Sequence, residues 1–304
     1  MTLIHDFDGW PRGMLFVAVG VFDGVHRGHQ ELIRRTAERA HERGARTITT
    51  TFDPLPIHVL APGAPPFALS DLDERTRLLH EAGTDDVVVF HFTKAFAAMS
   101  PGEFIGRVTG AGQVRQIVVG EDFQFGHDRA GNVRTLIEAG PTAGFEVFVA
   151  PPFRMESEIV SSTRVRNALI AGDVTTAARL LGRRYKVRGT VAEPAEHGRG
   201  LGFPTVKIVV PPSRLLPRDG IYAMTLRLGG TEVAAAASVG IRPTAHGADR
   251  ALEAYLLDAA AGMHGNAIEG AFVKRLRDEV RFATPAELRE QIERDVKAAR
   301  EALG

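Results

Sequence analysis

Apolar positions follow two different rhythms along the chain. In the first half, short runs rich in β-branched residues recur at Met14–Val19, Thr47–Phe52, Asp86–Phe92, Gln116–Gly120 and Glu146–Ala150. Runs of that length suit a parallel strand buried on both faces. Between them, apolar residues are spaced as on one side of a helix over Gly28–Arg43, Leu72–Ala82, Pro101–Val108 and Asn132–Ala139. Alternating strand and helix predict an open parallel α/β sheet, which takes ligands beyond the carboxyl ends of its strands. Asn167–Leu181 predicts two short helices around Gly172-Asp173. From Tyr185 the rhythm changes to strand-like runs separated by Gly and Pro: Tyr185–Val191, Thr205–Val210, Ile221–Leu228, Val233–Val239, Leu252–Leu257 and Ala271–Val280. These predict a small antiparallel barrel and a boundary near residue 184, giving domains 1–183 and 184–304. A last helix is announced by Thr284 as N-cap, Pro285 at the first helical position and Glu287 of a capping box. Its apolar stripe is Leu288, Ile292, Val296, Ala299 and Leu303, which predicts packing on the barrel.

Composition narrows the classes of function. At 304 residues the chain is long for a single core, in keeping with two domains, and 44% hydrophobic residues are enough to fill both. Lys and Arg number 37, as do Asp and Glu, so no global basic surface points to nucleic acid. The absence of cysteine removes disulfides, thiol nucleophiles and cysteine-ligated zinc, and fits a cytoplasmic protein. Met1–Trp10 is acidic and lacks the pattern of a signal peptide, and no apolar run approaches the ~18 residues that span a membrane. The expected partners are small molecules, with a monomer or weak homo-oligomer as the assembly.

The candidate chemistry begins at Phe16–Gln30. An apolar run breaks at Gly20 and Gly24, then passes through Phe22, Asp23, His26, Gly28 and His29 into a helical pattern. A strand, a glycine turn and a helix start together make an anion site, because first-turn N–H groups are free and the dipole end is positive. Two imidazoles three residues apart share a face there and can donate to phosphate oxygens. By themselves, four letters of HxGH are equally consistent with two polar loop residues. Later, Glu121–Gly126 places Phe123 and Phe125 in alternation with polar residues, with Arg129 following; aromatic faces beside donors suit a planar heterocycle, as they also suit plain core packing. Ser161, Ser162 and Thr163 open another helix with Arg164 and Arg166 beside the cap. Capping explains the hydroxyls, while two arginine forks at a helix start suit phosphate.

Taken together, GxFDGxHxGHQ over residues 20–30, GxDFxFGxxRxG over 120–131 and SSTxxR over 161–166 resemble the bacterial FAD synthetases, the bifunctional riboflavin kinase/FMN adenylyltransferases. Class I aminoacyl-tRNA synthetases share HxGH, but their lysine-rich second motif is missing here. The second half resembles the riboflavin kinase element in His197–Thr205, Pro217–Ala223, Gly240–Thr244 and Leu252–Asp258. The resemblance implies a Rossmann-like nucleotidylyltransferase sheet followed by a riboflavin kinase-like barrel, with AMP passing from ATP to FMN in the first and riboflavin phosphorylated in the second. It implies that His26, His29, Arg164 and Arg166 stabilise the reacting phosphates, and that Gly20, Phe22, Asp23, Gly24, Gly28 and Ser161–Thr163 bind ATP, Asp23 orienting substrate or Mg²⁺. Asp122, Phe123, Phe125, Arg129 and Tyr222 would contact flavin. In the barrel, Gly198, Arg199, Gly202 and Thr205 would bind ATP, Thr205 would meet Mg²⁺, and Glu253 would take the ribityl hydroxyl proton.

Four positions depart from the family pattern. Leu55 stands where a histidine is common, Pro194 where a glycine is usual, and Ser238 where an asparagine is usual. Lys207 replaces the asparagine that would ligate Mg²⁺, and an ammonium cannot ligate a cation. The three barrel departures compromise the expected kinase. They leave two alternatives: a monofunctional or diverged adenylyltransferase with a silent kinase domain, and a non-catalytic flavin-binding regulator.

Overall fold

The computed structural model describes residues 2–192, 205–228, 230–244, 247–257 and 267–304. They divide into two compact units, 1–162 and 163–304. The order through the first unit is β1 (Thr2–His5), β2 (Met14–Ala18), α1 (Arg27–Glu42), β3 (Arg46–Asp53), α2 (Pro56–Leu60), α3 (Leu72–Glu81), β4 (Asp86–His91), α4 (Lys94–Ala97), α5 (Pro101–Ala111), β5 (Gln113–Gly120), β6 (Gln124–Phe125), β7 (Gly131–Asn132), α6 (Val133–Ala143), β8 (Glu146–Ala150), β9 (Arg154–Met155) and β10 (Glu158–Ile159). Six strands form one sheet in the order β1-β4-β3-β2-β5-β8, every neighbour parallel. The order runs outward from β2 in both directions, so a crevice opens where β2 and β5 part at their carboxyl ends. The sheet is buried on both faces. Val88 and Phe90 pack with Phe104 and Ile117 on one side, and Val87 and Val89 pack with Phe22 and Ile33 on the other.

The five strands expected in the sheet are present, and β1 is an addition to it; the two-residue strands β6, β7, β9 and β10 pair outside it. Only Ile4 of its four residues is buried, so an edge strand of this kind leaves no alternating pattern to read. Soon after β3, Pro56 starts α2 with Leu55 as its buried N-cap. Proline has no N–H to lose at a first helical position, so it can open a helix.

The second unit takes in nearly all of α7 (Ser162–Ala171), then α8 (Val174–Leu181), six strands and a final helix: β11 (Lys186–Val191), β12 (Thr205–Val209), β13 (Gly220–Leu228), β14 (Thr231–Thr244), β15 (Gly247–Leu256), β16 (Ala267–Arg277) and α9 (Pro285–Leu303). The strands close as β11-β12-β15-β14-β13-β16, all antiparallel. Tyr222 and Phe272 meet edge to face inside, and the Tyr185 hydroxyl donates to the Leu215 carbonyl. The expected stripe of α9 packs on the barrel, with Ala299 against Ala223 and Ala236. Asp295 shares that buried face because the Arg277 guanidinium meets its carboxylate with two parallel bonds, at 2.7 and 2.5 Å.

Candidate active site

The turn that links β2 to α1 is strained and heavily braced. Phe22, Gly24 and Val25 all have positive φ, at 52°, 78° and 38°. For Phe and Val that conformation costs on the order of 1–3 kcal/mol each, and it persists only where the surroundings over-determine it. Every link of the turn is held. Thr50 Oγ1 accepts from Gly20 N, Thr51 Oγ1 donates to the Val21 carbonyl at 2.7 Å, and Gln30 Nε2 donates to the Val25 carbonyl at 2.8 Å. Ser162 Oγ donates to the Asp23 carbonyl at 2.9 Å. Glycine is required at two points by close approach. A Cβ on Gly24 would lie 2.9 Å from Leu69 Cβ, and one on Gly20 would lie 2.9 Å from the Phe22 ring.

The turn delivers the two histidines together. His26 is the buried N-cap of α1, its Nδ1 accepting from His29 N at 3.3 Å. The two rings stack with centroids 3.6 Å apart and planes 20° apart, and Phe22 sets its edge to His29 at 5.0 Å. A neutral His26 whose Nδ1 accepts carries its proton on Nε2, so that nitrogen is a donor. Gly28 sits under the His26 ring, where a Cβ would come within 3.2 Å of it and 3.3 Å of the Val160 carbonyl. Two stacked imidazoles at a helix start, where the dipole end is positive, suit an anion and charge that develops on it.

Asp23, expected to bind ATP and orient substrate or Mg²⁺, has a second task in the fold. Its carboxylate is buried and accepts from Leu69 N, Ser70 N and Ser70 Oγ at 3.0 to 3.1 Å. These protein donors make it a brace of the turn. Ser70 and Arg75 were not among the residues singled out from sequence. Arg75, on α3, is almost wholly buried and donates from Nη2 to the Phe52 carbonyl at the end of β3, at 2.8 Å. Burial pushes its pKa down, opposed by the charges of Asp23, Asp53 and Asp71.

The expected flavin residues divide. Asp122 and Arg129 are exposed, Phe123 is half-buried, and Phe125 is buried. The Phe123 and Phe125 rings stack at 5.4 Å, and Phe125 continues into the core through Phe104. Phe125 therefore backs Phe123, leaving Phe123 as the aromatic with a face to offer. Tyr222 is fully buried in the barrel, its hydroxyl donates to the Arg218 carbonyl, and burial raises its pKa above the usual phenol range.

Ser161 precedes α7 and is half-buried, as is Arg164; Thr163 is exposed and Arg166 is buried. In the barrel, Thr205 and Glu253 are half-buried. Strand register sets Lys207 directly opposite Glu253, and Glu253 directly opposite Ser238. Directly opposed residues share a face, so two of the departures flank the expected base in one row. Ser238 Oγ donates to Glu279 Oε1 at 2.7 Å. Gly198, Arg199, Gly202 and Pro194 lie outside the described residues.

Family models for FAD synthetase and riboflavin kinase match residues 12–164 and 181–303. The bifunctional riboflavin kinase/FMN adenylyltransferase of Escherichia coli K12 is 35% identical over 303 residues, 99% of this chain and 96% of that protein. The protein of the same name from Pseudomonas fluorescens is 37% identical over 300 residues, covering 98% and 95%, and that of Bacillus subtilis is 32% identical over 292 residues, covering 93% and 90%. The crystal structure of a macrolide-efflux protein from Streptococcus pneumoniae superposes with a TM-score of 0.88 at 29% identity over 99% of each chain.

Proposed function

The chain belongs to the bifunctional riboflavin kinase/FMN adenylyltransferase family, and from that membership we propose how its residues divide the work. It makes FAD by transferring AMP from ATP to FMN, and it phosphorylates riboflavin to FMN. We assign the first reaction to residues 1–183 and the second to 184–304. The observation that carries the first assignment is the stacked His26–His29 pair on a strained glycine turn at the carboxyl end of β2. An FMN phosphate oxygen attacks the α-phosphorus of ATP and the bond to pyrophosphate breaks in line. Such a transfer depends on positioning and charge neutralisation more than on a strong base. His26 and His29 donate to the phosphates as negative charge shifts toward the leaving group. The roles of Arg164 and Arg166 on pyrophosphate, and of Asp122, Phe123 and Arg129 at flavin, rest on the sequence pattern.

For the kinase we assign Glu253 as the base and Thr205 as an ATP contact. Among the described residues no group of three or more His, Cys, Asp or Glu could hold a metal, and Lys207 offers no lone pair. These residues fit Mg²⁺ only as an ion held mainly by ATP oxygens, where it would neutralise phosphate charge. The row Lys207–Glu253–Ser238 favours a second reading, an adenylyltransferase whose kinase half is weakened. Among the described residues no helix is long and apolar enough to cross a membrane. We assign the protein to the cytoplasm as a monomer or weak homo-oligomer with no nucleic-acid partner, on its lack of cysteine and its balanced charge.

The test is a paired product assay with ATP and Mg²⁺, one reaction given riboflavin and the other FMN. FAD from both is expected. FAD from FMN alone would establish the second reading, and tight flavin binding without any product would replace both with a binding protein.

A further inference from the structure

The strained turn is clamped from outside its own motif, by residues that the adenylyltransferase reading does not use. Ser70 stands at the centre of the clamp. Its Oγ accepts from Gly24 N at 2.9 Å and donates to Asp23 Oδ1 at 3.1 Å, while its own N–H donates to the same oxygen at 3.0 Å. Ser70 is 2% exposed and Asp23 equally so. One hydroxyl thus ties two consecutive links of the turn, on either side of which Phe22 and Val25 take positive φ. Arg75 acts on the turn from the side of β3. Its guanidinium donates to the Phe52 carbonyl at 2.8 Å, and just before Phe52 on the same strand Thr50 and Thr51 hold Gly20 and Val21 of the turn. Its Nε and Nη1 have no acceptor among the described residues.

We propose that Ser70 and Arg75 are positioning residues for adenylyl transfer: Ser70 through Asp23 and Gly24, and Arg75 through the end of β3, hold the Phe22–Val25 turn in the conformation that stacks His26 on His29. The inference rests on the adenylyltransferase reading. Neither residue touches the reacting atoms, so each acts on rate through the histidines.

The experiment uses the full chain and four variants, Ser70→Ala, Ser70→Thr, Arg75→Met and Arg75→Lys. Initial rates are measured for FMN adenylylation and, separately, for riboflavin phosphorylation, with a thermal midpoint for each protein. Ser70→Ala is expected to lower kcat for FAD formation by roughly 10- to 100-fold with little change in KM for ATP, because a misaimed constellation still binds. Ser70→Thr, which keeps the hydroxyl, should recover most of that rate. Arg75→Lys, which keeps a charged donor, should stay close to the parent, and Arg75→Met should fall with Ser70→Ala. Riboflavin phosphorylation should be the same in all five proteins. A Ser70→Ala enzyme at the parent rate would overturn the proposal, as would a loss confined to KM. So would Ser70→Thr falling as far as Ser70→Ala, or Arg75→Lys as far as Arg75→Met. A parallel fall in riboflavin phosphorylation would assign the effect to general destabilisation instead. Failure of the parent chain itself to make FAD from FMN would reject the adenylyltransferase reading, a result separate from any difference among variants.

Discussion

Single residues decide the shape of the nucleotide turn, and two glycines separate the contributions to it. Gly24 and Gly44 both have positive φ, at 78° and 64°. A Cβ on Gly44 meets nothing within 4 Å, whereas one on Gly24 lies 2.9 Å from both Cβ and Cδ1 of Leu69. Gly44→Ala should therefore lose only the backbone preference, about 1 kcal/mol. Gly24→Ala adds displacement of a buried leucine and should cost roughly 2–4 kcal/mol in the same denaturant titration. Equal losses would mean that the turn yields without strain. The histidines, glycines and Asp23 were legible because they lie within a few positions of one another. Ser70 is more than forty residues from the turn and Arg75 lies on a different helix. Nothing local to either sequence marks it as a brace of the turn.

At the scale of elements, periodicity located the strands and helices well wherever a face is buried. It missed β1, with one buried side chain, the short helices α2 and α4, and the two-residue strands β6, β7, β9 and β10, each too short to show a period. The barrel wall shows what register adds. On β16, Glu269 accepts from Lys186 Nζ at 2.7 Å and from Arg188 Nε at 3.2 Å, both on β11. Burial alone would raise the Glu269 pKa, but these two cations outweigh it and hold the carboxyl below its ordinary value. A depressed carboxyl stabilises the fold at pH values above its unfolded pKa, and the gain is lost as pH falls through the folded pKa. Glu269→Gln should therefore be less stable than the parent at neutral pH. The difference should shrink as pH falls below about 4.3, the usual carboxyl value. Thermal midpoints of both proteins across that range measure it, and a gap unchanged in acid would refute the ion-pair account. The same register logic set Lys207 and Ser238 beside Glu253, a row that strand spacing cannot reveal because its members belong to three strands.

Across the whole molecule, the division proposed between residues 1–183 and 184–304 makes the two activities separable by mutation. His29→Ala should lower FAD formation from FMN by a factor on the order of 10²–10³ while riboflavin phosphorylation continues. Glu253→Gln should do the reverse, stopping FMN formation from riboflavin while FAD is still made from added FMN. Product chromatography of both variants with both substrates checks the pair, and a loss of both activities in either variant would contradict the division. The sequence by itself determined the two architectures, the glycine turn with its two histidines, the order of the motifs and the departures in the barrel. These follow from periodicity, glycine placement and residue chemistry, which act over a few positions. Only the tertiary structure decided what each candidate does with its polar atoms. Asp23 faces backbone donors, Tyr222 closes into the core, Phe125 backs Phe123, and Ser70 and Arg75 hold a turn far from them in the chain. The reason is physical: hydrogen bonds and burial depend on distance in space, and the parallel sheet brings the ends of β2 and β3 together across residues that local pattern does not connect.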